Sequence, residues 1–222
     1  MATQWFDLPV ETHGHYLVDG TDAPEEKPLL VGFHGYGETG EASMEALRRI
    51  RGGSASWRLC AVQGLHAFYN AKTGELRASW MTRFGRDLAI ADNVRYVSSV
   101  VTRLKRDFPT RDPLVYAGFS QGVAMAYRAA LGSGHACRAV IALGGDVPPD
   151  IPEGSLATLP RLLIGRGQGD AWYTERKLVA DEARLRACGV EFEVLRFDGG
   201  HEWHDEFVKK ARAFLAGLAP TP

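Results

Sequence analysis

Two hydrophobic patterns alternate along this chain. Short, nearly continuous apolar runs occur at Pro28 to Phe33, Trp57 to Val62, Leu114 to Gly118, Ala139 to Leu143, Arg161 to Ile164 and Glu191 to Phe197, with a further one around His15 to Asp19. Runs of that length fit strands buried on both faces. Between them, helical patterns fall near Glu41 to Arg51, Asp87 to Phe108, Gln121 to Leu131, Thr174 to Ala187 and Trp203 to Leu215. In the second of these, Ile90, Val94, Val97, Val101 and Leu104 form one stripe, a helical period. Strand and helix alternating over nearly the whole length predict an α/β fold: one domain over residues 1–222, with a mostly parallel central sheet and helices on both faces. Residues 63–86, rich in aromatics, and 144–159, rich in Gly and Pro, fit neither pattern and are expected to be irregular. Loops at the carboxyl ends of strands line ligand sites in such sheets, and the second stretch is too short for a large lid domain.

Composition narrows the picture a little. A 222-residue chain fits one hydrophobic core, since single cores keep growing to roughly 250 residues. With 45% hydrophobic and 24% charged residues and a net charge of -1, nucleic acid and anionic membrane are disfavoured as partners. The basic groups Arg48, Arg49, Arg51 and Arg103, Lys105, Arg106 close predicted helices, where cations complement the dipole. Cys60, Cys137 and Cys188 are scattered and form no CxxC pair, so neither a disulfide framework nor a zinc knuckle is expected. A reducing cytoplasm is the expected home. No leader-like start and no run of roughly 18 apolar residues is present, so no membrane association is expected. No metal or cofactor is expected, and a homodimer is compatible with everything above.

The chemistry begins at Leu114-Val115-Tyr116-Ala117-Gly118-Phe119-Ser120-Gln121-Gly122, an apolar strand running through GxSxG into a helical pattern. That order is the nucleophile elbow, a sharp turn that exposes a serine oxygen above the sheet. A serine hydroxyl needs a base, and in this arrangement the acid and base follow the serine in the chain. Of His135, His201 and His204, His201 is favoured, standing in FDGGH between the last predicted strand and the last helix. The candidate acids are Asp146, Asp170 and Asp198; position favours Asp170, which follows a strand through a glycine-rich loop, although an Asp there also suits an N-cap. Oxyanion donors are expected from the backbone NH of Gln121 and from the early loop Phe33-His34-Gly35-Tyr36-Gly37-Glu38, where glycines flank Tyr36. His34 is expected to hydrogen-bond its own loop rather than to act in catalysis.

With these motifs assembled, the chain resembles the phospholipase/carboxylesterase family of α/β-hydrolases, which includes bacterial carboxylesterases and acyl-protein thioesterases. The likeness runs from FHGYGE through GFSQG and the GxxD loop to GGH. It implies a triad of Ser120, Asp170 and His201, oxyanion NH groups at Tyr36 and Gln121, and Trp80 on the cleft wall. Three positions depart from the family pattern: Glu38 where relatives often carry Asp, Val123 where a third glycine is common, and Arg166-Gly167 in place of His-Gly.

The expected activity is hydrolysis of a small carboxylic ester or thioester through an acyl-enzyme. The aromatic loop, with Phe68, Tyr69, Trp80 and Phe84, is expected to wall an open cleft suited to acyl groups of roughly two to six carbons. Two readings compete. One is a catalytically silent binding protein on the same scaffold. The other is a metal hydrolase suggested by His201-Glu202-Trp203-His204, whose histidines do not have the i, i+4 spacing of HExxH.

Overall fold

The computed structural model describes residues 3–53 and 56–218. In chain order the elements are β1 (Tyr16–Asp19), β2 (Lys27–Phe33), α1 (Gly40–Arg51), β3 (Arg58–Val62), β4 (His66–Tyr69), β5 (Leu76–Ser79), α2 (Arg86–Asp107), β6 (Thr110–Phe119), α3 (Gln121–Gly132), β7 (Ala139–Leu143), α4 (Glu153–Leu156), β8 (Arg161–Gly167), α5 (Glu175–Ala187), β9 (Phe192–Phe197) and α6 (Asp205–Ala216). Seven strands form one sheet in the order β1-β3-β2-β6-β7-β8-β9, parallel throughout except for the edge strand β1.

Successive strand residues point to opposite faces, and the core divides accordingly. Leu29, Val31 and Phe33 of β2, with Leu162 and Ile164 of β8, pack under α2, α3 and α5. Leu30 and Leu163, the residues between them, pack under α1 and α6 through Met44, Leu47, Ile50, Phe207 and Phe214. Apolar side chains are thus needed at consecutive positions, which is why the central strands read as unbroken runs. Both faces are covered, as expected.

Two regions differ from expectation. Residues 63–86 are not irregular: they contain the antiparallel hairpin β4–β5, in a small sheet of its own. Its strands are four residues long and all of β4 is exposed, so no core-facing pattern betrays them. Within 144–159 lies the short helix α4, and no cap domain is built there. The last helix begins at Asp205 rather than Trp203, because His204 is its N-cap and accepts from the Glu206 NH at 3.3 Å. Among the described residues no helix is long and apolar enough to cross a membrane.

Candidate active site

Ser120 sits between β6 and α3 with φ of 52° and ψ of -119°, the one non-glycine residue with positive φ among those described. Such a conformation is strained for an L-residue and persists only where its surroundings impose it. Here they are backbone. A Cβ on Gly122 would lie 2.2 Å from the Phe33 carbonyl oxygen, and one on Gly118 2.4 Å from the Gly122 oxygen. The glycines let α3 start directly against the end of β2, so the elbow and the loop leaving β2 become neighbours. The Ser120 NH is held by the Leu143 carbonyl at 2.9 Å.

That neighbouring loop, residues 34–38, is fixed from several sides. The Glu38 carboxylate accepts from the Gly35 NH at 2.7 Å, and Gly37 NH donates to the Ala78 oxygen at 2.8 Å while Ala78 NH returns a bond to Glu38 at 3.1 Å. Arg77 adds a bond to the Gly37 carbonyl at 2.9 Å. The unforeseen hairpin therefore braces the Tyr36 turn through β5. Among the described residues neither the Tyr36 nor the Gln121 backbone NH donates to a protein acceptor. His34 is buried, accepts from the Gly64 NH at 3.0 Å and donates to the Gly35 carbonyl at 2.7 Å. Burial holds its pKa below the usual imidazole value, though the Gly35 carbonyl and Glu41 oppose this, so the ring is a neutral loop anchor.

Asp170 and His201 are brought together. His201 Nδ1 lies 2.7 Å from Asp170 Oδ2, with the carboxylate almost fully buried and the ring partly exposed. The other oxygen, Oδ1, accepts from the backbone NH groups of Trp172 at 2.8 Å and Tyr173 at 2.9 Å. The N-cap of α5 is Thr174, so capping is not Asp170's task. The other acids are elsewhere: Asp146 pairs with Lys177 at 3.6 Å, and Asp198 is exposed.

A glycine pair after β7 lies beside both the serine and the histidine. A Cβ on Gly144 would stand 3.0 Å from the His201 ring, and one on Gly145 2.5 Å from the Ser120 carbonyl. The His201 ring also packs on Phe119, with centroids 4.8 Å apart. Among the described residues the Ser120 hydroxyl makes no hydrogen bond to that ring. His204 does not converge on His201; it stacks on Phe197 at 5.1 Å.

The expected aromatic wall needs correction. Trp80 is fully buried (0% exposed): its indole NH donates to the His34 carbonyl at 2.8 Å and its ring packs edge-on against Phe33. Its backbone NH donates to the Gln121 side chain at 2.9 Å, so it anchors the elbow instead of lining a cleft. Strand alternation turns Phe68 and Tyr69 to opposite faces of the hairpin. Phe68 faces Tyr36, with ring centroids 6.0 Å apart; Tyr69, 71% exposed, faces away from it.

Trp172, Tyr173 and Asp181 escaped the sequence reading, and the role of Arg166 was not foreseen. Trp172, 75% exposed, stands two residues beyond Asp170. Tyr173 and Asp181 are buried behind the acid loop. Arg166, one of the departures from the family pattern, is buried and bonds the Tyr173 carbonyl at 2.7 Å, the Gln168 carbonyl at 3.1 Å and Glu175 at 3.0 Å, so it braces the acid loop. An aromatic pair right after the acid was the available signal for the first two; a buried acid on a mostly polar helix left none.

The family model described as Phospholipase/Carboxylesterase matches residues 18–218. The chain belongs to that family. Among solved structures it is similar to the carboxylesterase from Mesorhizobium loti (22% identity, 92% of this chain and 95% of that one, TM-score 0.73). It is similar also to esterase PE8 (22%, 95% and 100%, TM-score 0.73) and to Zea mays acyl-protein thioesterase 2 (17%, 93% and 99%, TM-score 0.71). At these identities the likeness establishes the α/β-hydrolase fold. No curated protein matches the sequence significantly.

Proposed function

We propose that this family member hydrolyses small carboxylic esters or thioesters by the triad Ser120, His201 and Asp170. The observation that carries the reading is the buried Asp170–His201 pair, 2.7 Å apart, set against Gly144 while the next residue packs on the strained Ser120. His201 takes the Ser120 proton as the oxygen attacks the acyl carbon. The carbonyl oxygen becomes an oxyanion facing the Tyr36 and Gln121 NH groups, donors that need no reorganisation when the charge appears. His201 then protonates the departing alcohol or thiol, and water, deprotonated by the same ring, releases the acid. Asp170 keeps the Nδ1 proton in place so that Nε2 is the free base. The absent Ser120–His201 bond is consistent with this, because catalytic hydrogen bonds are often loose before substrate binds.

Ser120→Ala should abolish both turnover of short aryl esters and labelling by a fluorophosphonate while the protein stays folded. Near-normal ester hydrolysis by that variant would sink the proposal.

A further inference from the structure

Behind the acid loop lies a carboxylate that the mechanism does not use. Asp181, on α5, is buried, and among the described residues no Lys or Arg stands within ion-pairing distance of it. Its Oδ2 accepts from the Tyr173 hydroxyl at 2.9 Å and from the Val147 backbone NH at 3.0 Å. A buried acid without a cation is a costly way to hold a core together, so its two donors need a reason. Both lead to the site. The Tyr173 NH is one of the two donors to Asp170 Oδ1, and its carbonyl is gripped by Arg166. Val147 follows the Gly144-Gly145 pair by two residues, the pair that lies against His201 and the Ser120 carbonyl.

We propose that Tyr173 and Asp181 are positioning residues for the acid of the triad: Asp181 anchors the Tyr173 hydroxyl, which sets the turn presenting Asp170 to His201, and ties that turn to the glycine loop beside the nucleophile. This rests on the reading of Asp170 and His201 given above. Neither group touches substrate, so their effect passes through the geometry of the Asp170–His201 bond.

The surroundings make the anchor sensitive to pH. Burial pushes the Asp181 carboxyl up to about 6, and Asp146 on the neighbouring loop raises it too; the Val147 NH, the Tyr173 hydroxyl and Arg184 on α5 pull the other way. Tyr127 from α3 also faces this carboxylate, and Lys177 pairs with Asp146 at 3.6 Å. As an anion Asp181 accepts both bonds strongly; once protonated it holds them less firmly.

The test uses the full chain, a soluble short-chain aryl ester, and the variants Tyr173→Phe and Asp181→Asn. Tyr173→Phe should lower kcat by about tenfold to a hundredfold per folded molecule with KM little changed, as misplacement of a catalytic group does. Wild type should show a second proton in the acid limb of kcat/KM near pH 6, and Asp181→Asn should lose it. The far-downfield imidazole proton of His201, seen by NMR, should weaken or shift in Tyr173→Phe. If both variants keep wild-type kcat and pH profile, the pair only fills the core and the proposal is overturned. If wild type proves inactive, or Ser120→Ala stays active, the functional reading fails, and the His201 resonance then decides alone: unchanged in Tyr173→Phe, it overturns the positioning role as well.

Discussion

At the candidate nucleophile, carbonyl oxygens stand within 2.4 Å of where Cβ atoms would be on Gly118 and Gly122, and the Gln121 side chain ties the turn to Trp80, so close backbone packing leads there. At the candidate acid the backbone is tied as well, a Cβ on Gly167 standing 2.1 Å from the Gly200 oxygen, but buried side chains add to it: Arg166, Tyr173 and Asp181 reach the loop from β8, from the loop itself and from α5. The first turn is thus marked by glycines contiguous with its serine, and the second by buried side chains from separate elements. The first leaves a motif in the sequence. The second leaves almost none, and it has more positions at which function can be altered without dismantling the fold.

The largest effect that separates the halves should come from Asp170→Asn. Its removal frees the imidazole to adopt the wrong tautomer, and in serine-protease triads such a change costs roughly ten-thousand-fold in turnover. The fold should survive, because the amide oxygen can still accept the Trp172 and Tyr173 NH groups. Asp146→Asn and Asp198→Asn should be mild, since neither carboxylate bonds His201. Steady-state rates and melting curves of the three variants check this, and a crippled Asp198→Asn with a healthy Asp170→Asn would reassign the acid.

Gly122→Ala should strike the other half in the opposite sense, through stability. The added methyl meets the Phe33 and His34 carbonyl oxygens at 2.2 and 2.7 Å, and backbone cannot rotate aside as a side chain can. A loss of about 3 kcal/mol, at the upper end of what over-packing costs, is expected in denaturant unfolding. An alanine variant as stable as wild type would show that the elbow is looser than its contacts imply.

The same contrast explains what could be read from the chain alone. The parallel strands were legible because they are buried on both faces, and Ser120 because its glycines are obligatory and adjacent. Asp170 and His201 were legible only as strand-end positions, with Asp146 and Asp198 as rivals for the acid; of the three, Asp170 is the one that bonds His201, at 2.7 Å. The hairpin was not legible, since β4 has no buried face. Trp80 misled: an aromatic in an irregular stretch looks like a cleft wall, whereas its indole NH fills a hydrogen-bonding need of the His34 carbonyl deep in the core.

A smaller effect should appear in the pH dependence of stability. Asp181 moves from an ordinary value of 3.8 to about 6 on folding, so between these limits the native state holds the proton that the unfolded chain has released. Its contribution is fully present below the lower value and is lost as pH rises through the upper one, by roughly 2 to 3 kcal/mol. Unfolding of wild type across that window should show this decline, and Asp181→Asn should flatten it. An unchanged slope in the variant would assign the titration to another group.

The smallest effect concerns the exposed aromatics beside the two halves. Phe68 stands against Tyr36 on the nucleophile side, and Trp172 is exposed on the acid side. With only the four-residue α4 between β7 and β8, no cap closes over them. Such a rim can shield a few methylenes, each worth about 0.8 kcal/mol when buried, and the gain should stop where the wall ends. The specificity constant should therefore peak for acyl groups of roughly two to six carbons and fall beyond. Phe68→Ala should lower it for butyryl esters by about fivefold, near 1 kcal/mol, and less for acetyl esters, because the lost contact is with the chain and not with the carbonyl. Tyr69→Ala is the control, as that ring lies on the far face of the hairpin from Tyr36. Rates that climb steadily to palmitoyl esters, or a larger loss at Tyr69 than at Phe68, would mean that the acyl chain leaves the site by another route.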